Sequence, residues 1–314
     1  MHTQPLTPAA PVADPLGAAR PASLWRDTLA AILRQRSAVV GLIILGVLVF
    51  TAVFAPLIAT HTTSPLLGVE PGVTQRAAPC IHLLGCPVDQ PQHYFGTDGN
   101  FRDVFSRVVY GARTSLLIGL AAIGFAILVG TTIGAVAGYV GGWLDDVLMR
   151  VMDVVLAFPS LLLAIAIVTA VGPSLITALF AIGIVSVPIY ARVSRAAVLS
   201  TRESDYVTAS RALGESNIGI LVRRIMPNSL TPLVVQGTLG IGGAVLEIAA
   251  LAFVGVTGDI TRPEWGSMIG LERNQLFSSP HIILAPAAAI TLTVLGFNLL
   301  GDGLRDALDP RLNR

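Results

Sequence analysis

Six stretches of this chain are long enough, or nearly long enough, and apolar enough to cross a hydrocarbon core: residues 39–58, 115–139, 154–171, 174–190, 229–256 and 281–301. A bilayer core needs ~20 apolar residues per helix, and its lack of water forces every backbone N–H and C=O to be paired within the segment. The pattern therefore restricts the chain to an all-α membrane protein with six transmembrane helices. Composition agrees, with 53% hydrophobic and only 12% charged residues, a balance foreign to soluble domains of this length. The third and fourth runs are short and separated only by Gly172, Pro173 and Ser174, which predicts a tight helical hairpin. The first run is longer than the ~7–15 apolar residues of a signal peptide and is expected to remain as an uncleaved helix.

Charge sets the expected orientation. All 20 basic residues are arginine. With a cytoplasmic amino terminus, 14 of the 20 fall in cytoplasmic segments and Arg76, Arg102, Arg107, Arg113, Arg262 and Arg273 fall outside. Basic loops resist translocation, so both termini are expected in the cytoplasm. The segments then divide into a Pro- and Ala-rich tail, residues 1–38, expected to be disordered; a first transmembrane helix, 39–58; an external loop, 59–114; a five-helix core, 115–303; and a short tail, 304–314. Glycines recur within the second run (Gly119, Gly124, Gly130, Gly134, Gly138) and the fifth (Gly237, Gly240, Gly242, Gly243), where small residues let helix backbones approach closely in lipid. Pro159, Pro188, Pro232 and Pro286 lie in or near spans and are expected to bend them.

Enzymatic chemistry finds little purchase. A phosphate-binding Walker A loop requires a lysine, and the sequence contains none. No HExxH or GxSxG pattern is present either. The chain is expected to be no enzyme, to hold no cofactor or metal, and to contact the lipid bilayer but no nucleic acid. Cys80 and Cys86 lie in the external loop, where a disulfide closing a small loop is permitted; free thiols, or a metal site with His82 and His93, remain alternatives. Glu247 is the one acid deep in an apolar run, where a charge costs ~2.5–3.5 kcal/mol on insertion scales. It either lines a translocation route or makes an interhelical hydrogen bond. Gln236 and Asn298 are weaker candidates for the same route.

One polar stretch interrupts the oily core, "TASRALGESNIGILVRRIMPN" at residues 208–228. Ser204 can cap a short helix, and Gly214 suits the left-handed conformation that ends one. Ser216 or Asn217 can start a second helix, with Arg223 and Arg224 favourable near its end. A short helix with small exposed residues, Ala209 and Ser210, can seat in a partner's groove; an ordinary solvated loop is the equal alternative at this point.

The stretch resembles the cytoplasmic coupling motif of ABC importer permeases: Glu-Ala-Ala, three residues, glycine, and a closing hydrophobic-Leu-Pro thirteen residues beyond the glycine. Gly214 matches the glycine, Thr208, Ala209 and Ser210 stand at the Glu-Ala-Ala positions, and Pro227 at the terminal proline. Met226 replaces the leucine and Arg224 a usual hydrophobe. "FGTDGNFRDVFSRVVYGARTSLLIG", "GYVGGWLDDVLMRVMDVVLAFPSLLLA", "DYVTASRALG", "PEWGSMI" and "FNLLGDGLRDALDPR" are similar, in order, to the C-type permease of dipeptide, oligopeptide and nickel importers.

The resemblance implies a type I ABC importer permease fold in a bacterial or archaeal cell (inner) membrane. It further implies a second homologous permease, two cytoplasmic ATPases that bind ATP and Mg, and an extracytoplasmic binding protein that delivers peptide. A nickel or other small-solute permease, or an ion-driven secondary transporter, are the alternatives. Carried over by position, Asp205, Thr208, Ala209, Ser210, Arg211, Gly214, Glu215 and Pro227, within residues 194–227, would couple to the ATPases. Asp145, Asp146 and Arg150 would form a second cytoplasmic element, and Pro263, Glu264 and Trp265 would face the binding protein.

Overall fold

The computed structural model describes residues 32–61, 73–258 and 262–308. The amino-terminal tail up to residue 31, the end from residue 309, and residues 62–72 and 259–261 lie outside the described residues. Five helices are long and apolar enough to cross a membrane: α1 (Arg36–Val53), α3 (Val104–Val140), α6 (Leu175–Arg202), α10 (Leu230–Val254) and α12 (Pro280–Leu308). Between them lie the shorter helices α2 (Ala55–Ile58), α4 (Gly142–Leu156), α5 (Ser160–Val171), α7 (Asp205–Ala212), α8 (Asn217–Gly219), α9 (Met226–Asn228) and α11 (Trp265–Glu272).

Several expected boundaries differ: α6 continues past residue 190 to Arg202 and α12 past residue 301 to Leu308, and two further differences have a distinct physical reason. The third run, 154–171, is not one helix: α4 and α5 are bent by 89° across a break at residues 157–159. Pro159 lacks the N–H that would continue α4 and instead opens α5. At 1.5 Å per residue, the 12-residue α5 is ~18 Å long and cannot cross alone, so the sixth span counts only if the bent pair is taken as one. The second run starts earlier than residue 115, at Val104, where the Asp103 side chain accepts a hydrogen bond from Ser106 N. Hydropathy missed this first part because it carries Arg107 and Arg113; Arg107 is buried, with Asp98 3.7 Å away.

Close backbone approach organises the bundle. The longest seam joins α3 to α6. A methyl group added at Gly130 would lie 2.5 Å from Val187 O and 2.8 Å from Tyr190 Cβ, and one at Gly138 would lie 2.9 Å from Arg195 O. Gly134 between them backs directly onto Ala191 O. Gly124 and Gly243, by contrast, face open space. One apolar cluster then joins α3, α5, α6 and α10 through residues such as Ile123, Val168, Ile182, Tyr190 and Ile248. A second joins α1, α3, α10, α11 and α12 through Leu45, Val245, Trp265 and Ile290.

Candidate coupling surface and translocation face

At one end of the bundle, residues 204–228 fold as two short helical elements. Asp205 opens α7 and favours its dipole. Ser204 stands at the N-cap, but its hydroxyl donates to Thr201 O (2.6 Å) instead of capping α7. Gly214 ends the element at φ +80°, a conformation that costs a side-chain-bearing residue energy. Ser216 then caps α8 by accepting from Gly219 N. The expected second helix follows, but residues Ile220–Ile225 wind as a π-helix before α9, an irregularity often seen at functional sites.

This unit is tied rigidly to the spans. Val207, Ile220 and Ile225 are fully buried with Val198 of α6 and Ala135 of α3. Tyr139 donates to Asn217 Oδ1 (3.0 Å), and Arg202 donates to the carbonyls of Gly138 (3.1 Å) and Tyr139 (3.3 Å). Arg224 donates to Glu215 (3.0 Å), so the arginine that departs from the usual hydrophobe closes the unit on itself. Outward, Thr208, Ala209, Arg211 and Pro227 are exposed, Ser210 and Glu215 are partly so, and two large apolar side chains, Leu213 (88% exposed) and Ile218 (77%), have no cover. These two aliphatic side chains stand on the outer surface of the unit.

Beside it, α4 is clamped to α6. Asp145 accepts a bidentate bond from Arg195 (2.5 and 2.6 Å), and Asp153 accepts from Arg192 (2.6 Å). Where α4 breaks into α5, Ser160 donates to Glu247 Oε1 (3.1 Å). Val154, Leu156, Phe158 and Leu162 around this break are exposed, so the Glu247 carboxylate sits partly exposed beside an uncovered apolar face. Among the described residues no hydrogen bond joins it to Gln236 or Asn298: Gln236 is half-buried, its carbonyl near Tyr190 OH (3.5 Å), and Asn298 is exposed on α12.

The opposite end corrects one expectation. Glu264 and Trp265 do not face outward; they are 1% and 0% exposed. Glu264 caps α11, accepting from Gly266 N (2.8 Å) and Ser267 N (2.7 Å), and burial pushes its carboxyl above the ordinary range against those bonds. The Trp265 ring lies over Gly111, where an added methyl would sit 2.8 Å from Cδ1, and its Nε1 donates to Val108 O (2.9 Å). Pro263 is half-buried. Glu272, which the sequence did not mark, gathers the loop between α2 and α3 by accepting from Gly99 N (2.6 Å) and Arg76 Nε (2.9 Å). Cys80 and Cys86 form a disulfide, which closes that alternative in favour of the bridge.

Comparison with known proteins agrees with this architecture. Residues 130–314 match the family described as binding-protein-dependent transport system inner membrane component, and residues 23–78 match the N-terminal TM domain of oligopeptide transport permease C. The chain is 44% identical over 312 residues to a dipeptide transport system permease protein of Alkalihalophilus pseudofirmus, covering 99% of this chain and 98% of the relative. It is 41% identical to a di/tripeptide transport system permease protein of Pseudomonas aeruginosa (88% and 89% covered) and 36% identical to a glutathione transport system permease protein of Escherichia coli (92% and 91%).

Proposed function

We infer that this chain, which belongs to the family of binding-protein-dependent transport system inner membrane components, is the permease subunit of an ATP-driven importer of di- or oligopeptides. The observation that carries the substrate class is likeness along the whole chain, at 44% identity, to a dipeptide permease. Because the chain has no lysine for a phosphate loop, ATP and Mg bind to separate ATPase subunits. Those subunits seat on the cytoplasmic surface around Thr208 to Gly214, Leu213 and Ile218.

The rigid attachment of that surface to α3 and α6 supports the mechanism. Nucleotide-loaded ATPases contact two permease states unequally, and only such differential contact shifts a conformational equilibrium. The coupling unit moves, α6 and α3 move with it, and a cavity between this chain and a second permease opens alternately to each side. The apolar face around Glu247 belongs to that cavity. Peptide arrives from an extracytoplasmic binding protein at the opposite end.

Purification with tagged subunits, followed by reconstitution with the binding protein and ATP inside liposomes, tests the reading. Peptide uptake that requires ATP, both permeases and the ATPases is the expected result; uptake by this chain alone would overturn it.

A further inference from the structure

Three side chains from separate parts of the sequence converge at the end opposite the coupling unit. His61 follows α2, His93 lies in the disulfide-bearing loop, and Asp103 caps α3. One ligand atom from each lies within 4.8 Å of the other two. His93 Nδ1 is 2.8 Å from Asp103 Oδ1, His61 Nδ1 is 3.8 Å from Asp103 Oδ2, and the imidazoles stack with centroids 4.5 Å apart. We propose that His61, His93 and Asp103 form a binding site for one divalent first-row transition-metal ion of the Zn²⁺ class.

The donor chemistry selects the class. Two imidazoles and one carboxylate suit zinc and its neighbours, whereas calcium asks for six to eight oxygens. Ligands ~2.1 Å from a tetrahedral ion lie ~3.4 Å from one another. His93 Nδ1 lies 2.8 Å from Oδ1 and His61 Nδ1 3.8 Å from Oδ2 of the same carboxylate, and the ligand atoms all lie within 4.8 Å of one another, so a shared ion draws them together by up to ~1.4 Å. The ion replaces the proton now shared between His93 Nδ1 and Asp103. Its charge is met by a carboxylate that is wholly buried, and His61, 17% exposed, gives access.

The surroundings hold the ligands without occupying them fully. Asp103 Oδ2 is oriented by Ser106 N (2.7 Å), and His61 N donates to Ser106 Oγ (3.0 Å). Thr60 Oγ1 lies 2.9 Å from His61 Nδ1 and must rotate away. The His93 backbone pairs in both directions with Cys80, itself fixed by the disulfide. His93 is 3% exposed, yet its Nε2 has no hydrogen-bond partner. An ion at Nδ1 does not reach that atom, so the site rests on the Nδ1 and carboxylate geometry.

The proposal does not depend on the substrate of the importer, and its test reads metal directly. The full chain, purified with its partner subunits and stripped with chelator, is dialysed against Zn²⁺ and, separately, Co²⁺. The expected result is one Zn²⁺ retained per copy of this chain and a Co²⁺ visible spectrum typical of nitrogen and oxygen ligands. His61→Ala and Asp103→Asn should each weaken retention at least ~10-fold; asparagine preserves the α3 cap, so that variant keeps its fold. Wild-type protein that retains no ion, or retention equal in wild type and both variants, overturns the site.

Discussion

Replacing Leu213 or Ile218 with serine tests the coupling surface most directly, because the structure separates its two possible costs. Both side chains are exposed in this chain, at 88% and 77%, so their removal takes nothing from its core. Surface changes of this kind shift stability within ~0.5 kcal/mol. If an ATPase covers them, each substitution forfeits most of the ~1.5–3 kcal/mol gained by burying a leucine or isoleucine. Taking ~2 kcal/mol per site, affinity for the ATPase falls ~30-fold for each single variant. The assay is titration of purified ATPase onto the detergent-solubilised permease pair, with melting of the permease recorded in parallel. Affinity unchanged within about threefold in both variants would refute the reasoning, as would a melting shift large enough to account for the loss.

Other perturbations bear on other parts of the molecule. Gly214→Pro cannot adopt the φ of +80° found there, so it should leave membrane insertion intact while abolishing ATP-linked uptake, measured in proteoliposomes. Gly134→Ala pushes a methyl into Ala191 O and should destabilise the α3–α6 seam by ~1–3 kcal/mol, whereas Gly124→Ala, facing open space, should be neutral or slightly stabilising in the same thermal assay. Glu264 has its folded-state pKa raised above 4.5 by burial, so the folded protein binds more protons than the unfolded one. Its contribution to stability is greatest below that value and is lost as pH rises through the folded-state pKa. A thermal series run upward from pH 4.5 should show this decline, and Glu264→Gln should flatten it.

Much of the fold was legible because hydropathy is a local property. The spans near α1, α6, α10 and α12, the left-handed turn at Gly214 and the helix starting at Ser216 all follow from short windows of sequence. The break at Pro159 was not, since the apolar run continues unbroken through it and only backbone geometry distinguishes a bent pair from one helix. The early start of α3 was hidden by arginines, one of which lies beside Asp98 in the buried interior. Glu264 and Trp265 are placed outward by the resemblance, which carries over position in the chain but not burial; what buries them is Gly111 and Ser115, some 150 positions away in sequence. The convergence of His61, His93 and Asp103 is non-local in the same way, with no spacing signature to announce it.

Length gives α3 a role beyond crossing the membrane. Its 37 residues extend ~55 Å, nearly twice the ~30 Å hydrocarbon core. One end is bonded to the unit that an ATPase would move, and the other is capped by Asp103, which lies 2.8 Å from His93. A stiff rod pivoting near its middle by ~10° carries its two tips ~5 Å in opposite directions. Events on one side of the membrane can thus be felt on the other by leverage alone, without any relay of side chains switching in between.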